Sequence, residues 1–205
     1  MGTINASAVI DRAASLLQDT QFRRWSRERH LDWLTDGQRE AAILNPGLYV
    51  LSISHPLKKG TKQDMPADAR ALRDIPYNTD GASITPVARR SLDSQVPDWH
   101  SPTRANKRVL HFCYSPDQPK QFHVYPPSPG GNSVELVYEA IPPALSAGSQ
   151  ISLDDSYTGA LVDYLMHRAY AKDSEYAGNA DLAALHYSRF VSLVKGTAPA
   201  APAAT

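Results

Sequence analysis

Asp93, Asp98 and His100 stand close together in the chain, around Val96-Pro97 and beside Trp99. A carboxylate near an imidazole is the minimum equipment for general acid–base work. These three are therefore the candidate set for a small hydrolase. Nothing in the surrounding sequence marks an activated nucleophile, and a structural hydrogen bond is the favoured reading. Cys113 is the single cysteine, so an intrachain disulfide is excluded. It lies between Phe112 and Tyr114 in an apolar run. Reactive thiolates need polar, partly exposed surroundings, so a buried structural thiol is expected there. The seven histidines include no pair at i, i+4 and no Cys/His cluster, which leaves no zinc pattern. His111 and His123 read as cross-strand neighbours. Such a pair could hold a metal, but paired surface or interface histidines fit better. Gly130-Gly131 has no lysine at phosphate-loop spacing and reads as a hairpin turn. The expectation is no catalytic residue, no cofactor or cofactor-binding residue, and no metal ligand.

The stretch Arg23-Arg24-Trp25-Ser26-Arg27-Glu28-Arg29-His30 is the strongest local charge feature. Arginines beside an aromatic could meet nucleic acid. Acidic residues follow at once in Asp32, Asp36 and Glu40, and the whole chain balances 21 basic against 21 acidic side chains. Tight non-specific DNA binding rests on neutralising many phosphates, and a formal net charge of zero argues against it. A polar helix face that meets a neighbouring subunit is the preferred reading.

These residues must be positioned by helices at both ends of the chain and strands between them. The 205 residues are enough for one domain, or for one with a sizeable insertion. No apolar run approaches the roughly 18 residues of a membrane span, and the N-terminus lacks a basic-then-apolar signal pattern. Residues 5–18 predict a first helix, capped by Asn5 or Ser7, with Ile10, Ala13, Ala14 and Leu17 inward. Ser26 predicts the cap of a second helix reaching Leu44, with Leu31, Leu34, Ala41 and Ala42 inward and Gln38 on the same stripe. Asn45-Pro46-Gly47 stops it. Asp154–Lys195 predicts a helical hairpin. Leu161, Val162, Leu165 and Ala169 mark its first helix. Asn179 is a candidate cap for the second, which carries the stripe Ala180, Ala183, Ala184, Tyr187, Phe190, Val191 and Val194.

Between them the period changes to two. Strands are expected from Tyr49 to Ile53, over Val109–Tyr114 as a central strand, over Gln121–Tyr125 paired to it, and over Val134–Ile141. Met65–Arg73 reads as a short helical turn. Thr85-Pro86 reads as cap and first residue of a helix over Val87–Ser94. The predicted class is α+β, a four-helix bundle formed by N-terminal and C-terminal helix pairs with a β-rich insertion. On this division 1–45 is the N-terminal half of the bundle and 46–150 the insertion. The hairpin 151–195 completes the bundle, and 196–205 is a flexible Ala/Pro tail.

Several strings also resemble a known family. They are Arg24-Trp25-Ser26, Leu31-Asp32-Trp33-Leu34-Thr35-Asp36-Gly37-Gln38-Arg39-Glu40, Gly60-Thr61-Lys62-Gln63 and Met65-Pro66-Ala67-Asp68. Arg90-Ser91-Leu92-Asp93, Pro97-Asp98-Trp99-His100 and Phe122-His123-Val124-Tyr125-Pro126-Pro127 continue the series. Val162-Asp163-Tyr164-Leu165 and the run from Arg168 to Tyr176 complete it. Their order and spacing resemble the head-to-tail adaptors, or connectors, of short-tailed bacteriophages, over nearly the whole chain except the tail. One departure is Tyr77, where a basic residue is expected before Asn78. The resemblance implies a virion protein of the neck or tail, assembled in the host cytoplasm, with no enzymatic activity. It implies a homo-oligomeric ring of about twelve copies, held by heterologous contacts. The ring would join portal protein to tail nozzle or tube protein, and DNA would pass through its channel without specific binding. The alternatives are another tail-associated binding module, or a small hydrolase using Asp93, Asp98 and His100.

Overall fold

The structure, a computed structural model, describes residues 2–196. In chain order the elements are α1 (Ala6–Leu16), α2 (Arg27–Leu44), β1 (Val50–Pro56), β2 (Gly60–Asp64), β3 (Ala69–Asp74) and β4 (Thr85–Pro86). There follow α3 (Arg89–Gln95), β5 (His111–Tyr114), β6 (Gln121–Ser128), β7 (Ser133–Ala140), α4 (Thr158–Lys172) and α5 (Asn179–Lys195). They gather into two units, one of residues up to Tyr49 with those from Pro142 onward, the other Val50–Ile141.

In the helical unit, α1 buries Ala6, Val9, Ile10, Ala13 and Ala14 along one stripe. Ser26 accepts the backbone N–H of Arg29 at 3.2 Å and so starts α2. The helix buries Trp33, Leu34, Ala41 and Ala42, together with His30 and Gln38. Gln38 is satisfied on its oxygen by the N–H of Ser152 at 2.5 Å. A short 3-10 turn, Asp155–Tyr157, is capped by Asp154 and leads into α4. Ala160, Leu161, Val162, Tyr164, Leu165, Met166 and Ala169 of α4 are all buried, a pattern wider than one stripe. A helix apolar on several sides belongs in the middle, and α4 indeed packs on α1, α2 and α5. The chain leaves α5 through Gly196 in the left-handed region, an ordinary glycine stop.

The second unit holds two sheets, ordered β1-β7-β3 and β2-β6-β5-β4. β7 is central in the first, with antiparallel partners on both edges. Its Val134, Leu136, Tyr138 and Ala140 are buried and alternate with half-exposed Glu135, Val137 and Glu139. In the second sheet β5 and β6 are antiparallel, and β4 runs parallel to β5. Buried Asn78 stands in for a strand neighbour. Its side chain donates to the Val109 carbonyl and accepts the Val109 N–H, both at 2.8 Å.

This architecture corrects the expected four-helix bundle with a β-rich insertion. The chain is a mixed α+β protein with five α-helices and two sheets among the described residues. Residues 50–141 carry their own helix, α3, and bury their own core, including Ile75, Trp99, Phe122, Val124 and Leu136. Met65–Arg73 is not a helical turn. Ala69–Asp74 is strand β3, because the second edge of β7 takes its backbone, and strand pairing overrides the local preference of Ala, Arg and Leu. Gly60–Asp64 is strand β2, which period alone does not reveal. Thr85-Pro86 starts no helix: the N–H groups of Thr85 and Val87 bond the carbonyls of Leu110 and Phe112, so the helix waits until Arg89. Asn179 is the first residue of α5 rather than its cap, which is Gly178. On α5 Ala183, Phe190 and Val194 are buried and Tyr187 half-buried, but Ala180 and Ala184 face solvent. Of the Ala/Pro tail, 197–205 lies outside the described residues.

Candidate functional site

The candidate hydrolase residues make no hydrogen bond or ion pair with one another. Asp93 accepts the indole N–H of buried Trp99 at 2.9 Å. Asp98 pairs with Arg104 at 2.8 Å, and that hydrogen bond holds its carboxyl below the usual range. His100 Nδ1 lies 2.7 Å from the Thr61 hydroxyl. Each has a separate structural partner, and no acid–base pair forms between them. Cys113 packs with Leu92 and Trp99 in a small core. Burial, then the Asp93 charge, pushes its thiol up to about 11, so it stays protonated at neutral pH. His111 and His123 are not opposite one another. His111 faces Tyr125, and His123 faces Cys113. His111 stacks on the Tyr125 ring with planes 8° apart and meets the Thr85 hydroxyl at 2.7 Å. Gly130 and Gly131 both have positive φ, as the turn between β6 and β7 requires.

The basic stretch leads further. Asp19 folds the chain ahead of α2 into a tight turn, accepting the N–H groups of Arg23 at 2.8 Å, Arg24 at 3.0 Å and Trp25 at 3.2 Å. Burial works against its charge, but these three donors outweigh it and hold the carboxyl below its ordinary value. The turn presents Arg24 and Trp25. One helical turn into α2, Arg29 and Trp33 share a face at i, i+4. Trp25 meets Trp33 edge-to-face at 5.7 Å. From α4, Arg168 and Lys172, again i, i+4, face the same space. Together with Ser26 and Ala171 these residues line a groove of about 530 Å³.

Two of its four cations are tied down. Arg24 pairs with Asp173 at 2.7 Å and lies over the Tyr176 ring. Arg168 donates to the Tyr164 hydroxyl at 3.3 Å and pairs with Asp36 at 3.5 Å. The exposed side chains of Arg29 and Lys172 have no hydrogen-bond or ion-pair partner among the described residues. The groove is a cationic surface beside Trp25, with the chemistry to hold an anionic group. The sequence shows half of it, the run from Arg23 to His30. Arg168 and Lys172 lie more than 130 positions away. Their i, i+4 spacing on a helix is the one local hint.

No curated protein matches the chain. The family model described as SU10 adaptor protein matches residues 4–203, and so spans both units. This chain therefore belongs to the SU10 adaptor family of phage adaptor proteins.

Proposed function

We propose that the chain is a structural adaptor of the virion neck. Copies form a ring of about twelve, through heterologous contacts in which one face meets a different face of the next copy. The ring joins portal protein to tail nozzle and surrounds the channel through which DNA leaves. Its subunits are made in the host cytoplasm and work by shape, without turnover. The observation that carries this reading is the family match over 4–203. The neutral charge balance supports it, since many crowded copies repel one another little. The separate structural partners of Asp93, Asp98 and His100 favour it over a hydrolase.

The test is to mix purified chain with its cognate portal protein and image the product by electron cryomicroscopy. A ring of this chain seated on the portal is expected. A chain that stays monomeric alone and with portal overturns the proposal.

A further inference from the structure

The groove between the start of α2 and the end of α4 has features that the fold does not require. Arg168 and Lys172 are like charges at i, i+4, an arrangement that weakens a helix slightly. Arg29 faces the same space, and neither it nor Lys172 has a counter-ion among the described residues. The other two cations are held in place by Asp173 and Asp36, so part of the groove wall is pre-set before anything docks. Trp33 is 4 % exposed, so half-buried Trp25 supplies the aromatic surface within a lining that is mostly polar.

The geometry points to a docking site for an acidic protein segment, with carboxylates on either side of an apolar or aromatic side chain. The side chain packs against Trp25, and the carboxylates take Arg29 and Lys172. Guanidinium forks match carboxylates in two parallel hydrogen bonds. Buried aromatic anchors ringed by polar contacts are how protein interfaces concentrate their affinity. Nucleic acid fits less well. Its affinity grows with the number of phosphates neutralised along a track, and here Asp36 and Asp173 interrupt the positive surface. This inference rests on the adaptor reading for who supplies the segment, namely another protein of the neck. Its chemistry is read from the groove alone.

The test uses the full chain and a fluorescently labelled peptide of alternating Glu and Leu, with an oligothymidine of equal charge alongside. The chain binds the peptide, and added salt weakens the complex. Arg29→Glu with Lys172→Glu, which breaks no internal pair, weakens peptide binding by about tenfold or more and leaves a folded chain with a cooperative melt. Peptide affinity unaffected by the double reversal overturns the proposal, whether or not the chain assembles on its portal. So does an oligothymidine that binds more tightly than the peptide and is lost with the same two charges. Failure of the wild-type chain to assemble on portal counts against the adaptor reading instead, and leaves the peptide measurement intact.

Discussion

Gly37 lies in the middle of α2 and is buried there. A glycine in a helix interior costs about 1 kcal/mol relative to alanine, so its presence needs a cause. An added Cβ would stand 2.8 Å from Cδ1 of the Tyr164 ring, too close for contact. Gly37 is the gap through which α2 and α4 approach. Gly37→Ala is therefore expected to destabilise the protein by about 1–3 kcal/mol despite the better helix former, measured by urea unfolding; a stabilised variant would refute the close approach. His30 gives a second residue-scale prediction. Its Nδ1 lies 3.1 Å from the Ser26 carbonyl, so Nδ1 carries the proton and donates. Its Nε2 is buried with no hydrogen-bond partner among the described residues. Burial pushes the imidazole below its ordinary value of 6.5. A folded-state pKa below the unfolded one gives stability that is present above about pH 6.5 and is lost as pH falls through the folded value. His55 and His123 shift the same way, also through burial. The melting temperature is expected to fall between about pH 7 and pH 5, and His30→Phe, which keeps the ring packed between Phe22 and Trp33, to make that fall smaller. Equal pH slopes in the two proteins would show that His30 does not contribute.

At the scale of elements, the helical unit is fastened where α2, α4 and α5 meet. Glu40 accepts the hydroxyls of Tyr164 at 2.9 Å and Tyr187 at 2.6 Å, one from each helix of the hairpin. Burial, then the Glu40 carboxylate, pushes the Tyr164 hydroxyl up to about 12, so it remains a donor throughout the working pH range. Phe190 is fully buried beside Tyr164, with ring centres 4.9 Å apart. Phe190→Ala leaves a ring-sized cavity at this junction and is expected to cost about 3–5 kcal/mol. Denaturant titration checks it, and a loss under about 1 kcal/mol would mean that the site collapses around the gap. The long helices were legible in the sequence, because burying one face of a helix imposes a period of three and four that survives in Ile10, Ala13, Leu161 and Leu165. β7 was legible through its alternation. β2, β3 and β4 were not: β2 is polar along its length, β3 buries Ala69 and Leu72 out of alternation across register shifts, and β4 is two residues long. The polar half of the core was equally hidden. Glu40 meets Tyr164 and Tyr187 across 124 and 147 residues of chain, and no local pattern encodes such a pairing. The groove sits between these cases: its α2 side is one contiguous string, whereas Arg168 and Lys172 reach it only through the packing of α4.

At the scale of the molecule, the family match spans two units, each with a core of its own. The chain enters the second unit at Val50 and leaves it after Ile141. β1 and β7 are antiparallel neighbours, with Val50 opposite Glu139. Entry and exit are thus adjacent, as they must be if an autonomous unit is to interrupt a helical one without stretching it. Closing a loop across such neighbouring ends costs little entropy, and each doubling of loop length adds only about 0.6 kcal/mol. A chain in which a short Gly/Ser linker replaces Val50–Ile141 is therefore expected to keep the helical unit folded. It retains the whole contact set of α1, α2, α4 and α5, including Gly37 against Tyr164 and the Glu40 junction. The expected result is a strongly helical far-ultraviolet dichroism spectrum with one cooperative melt, and a near-ultraviolet signal from the packed Tyr and Trp rings. The shortened chain should also still bind the Glu/Leu peptide, since Arg24, Trp25, Arg29, Arg168 and Lys172 all belong to the retained part. A broad, non-cooperative melt would mean that the helices depend on the β unit for their stability, and that the two units fold as one.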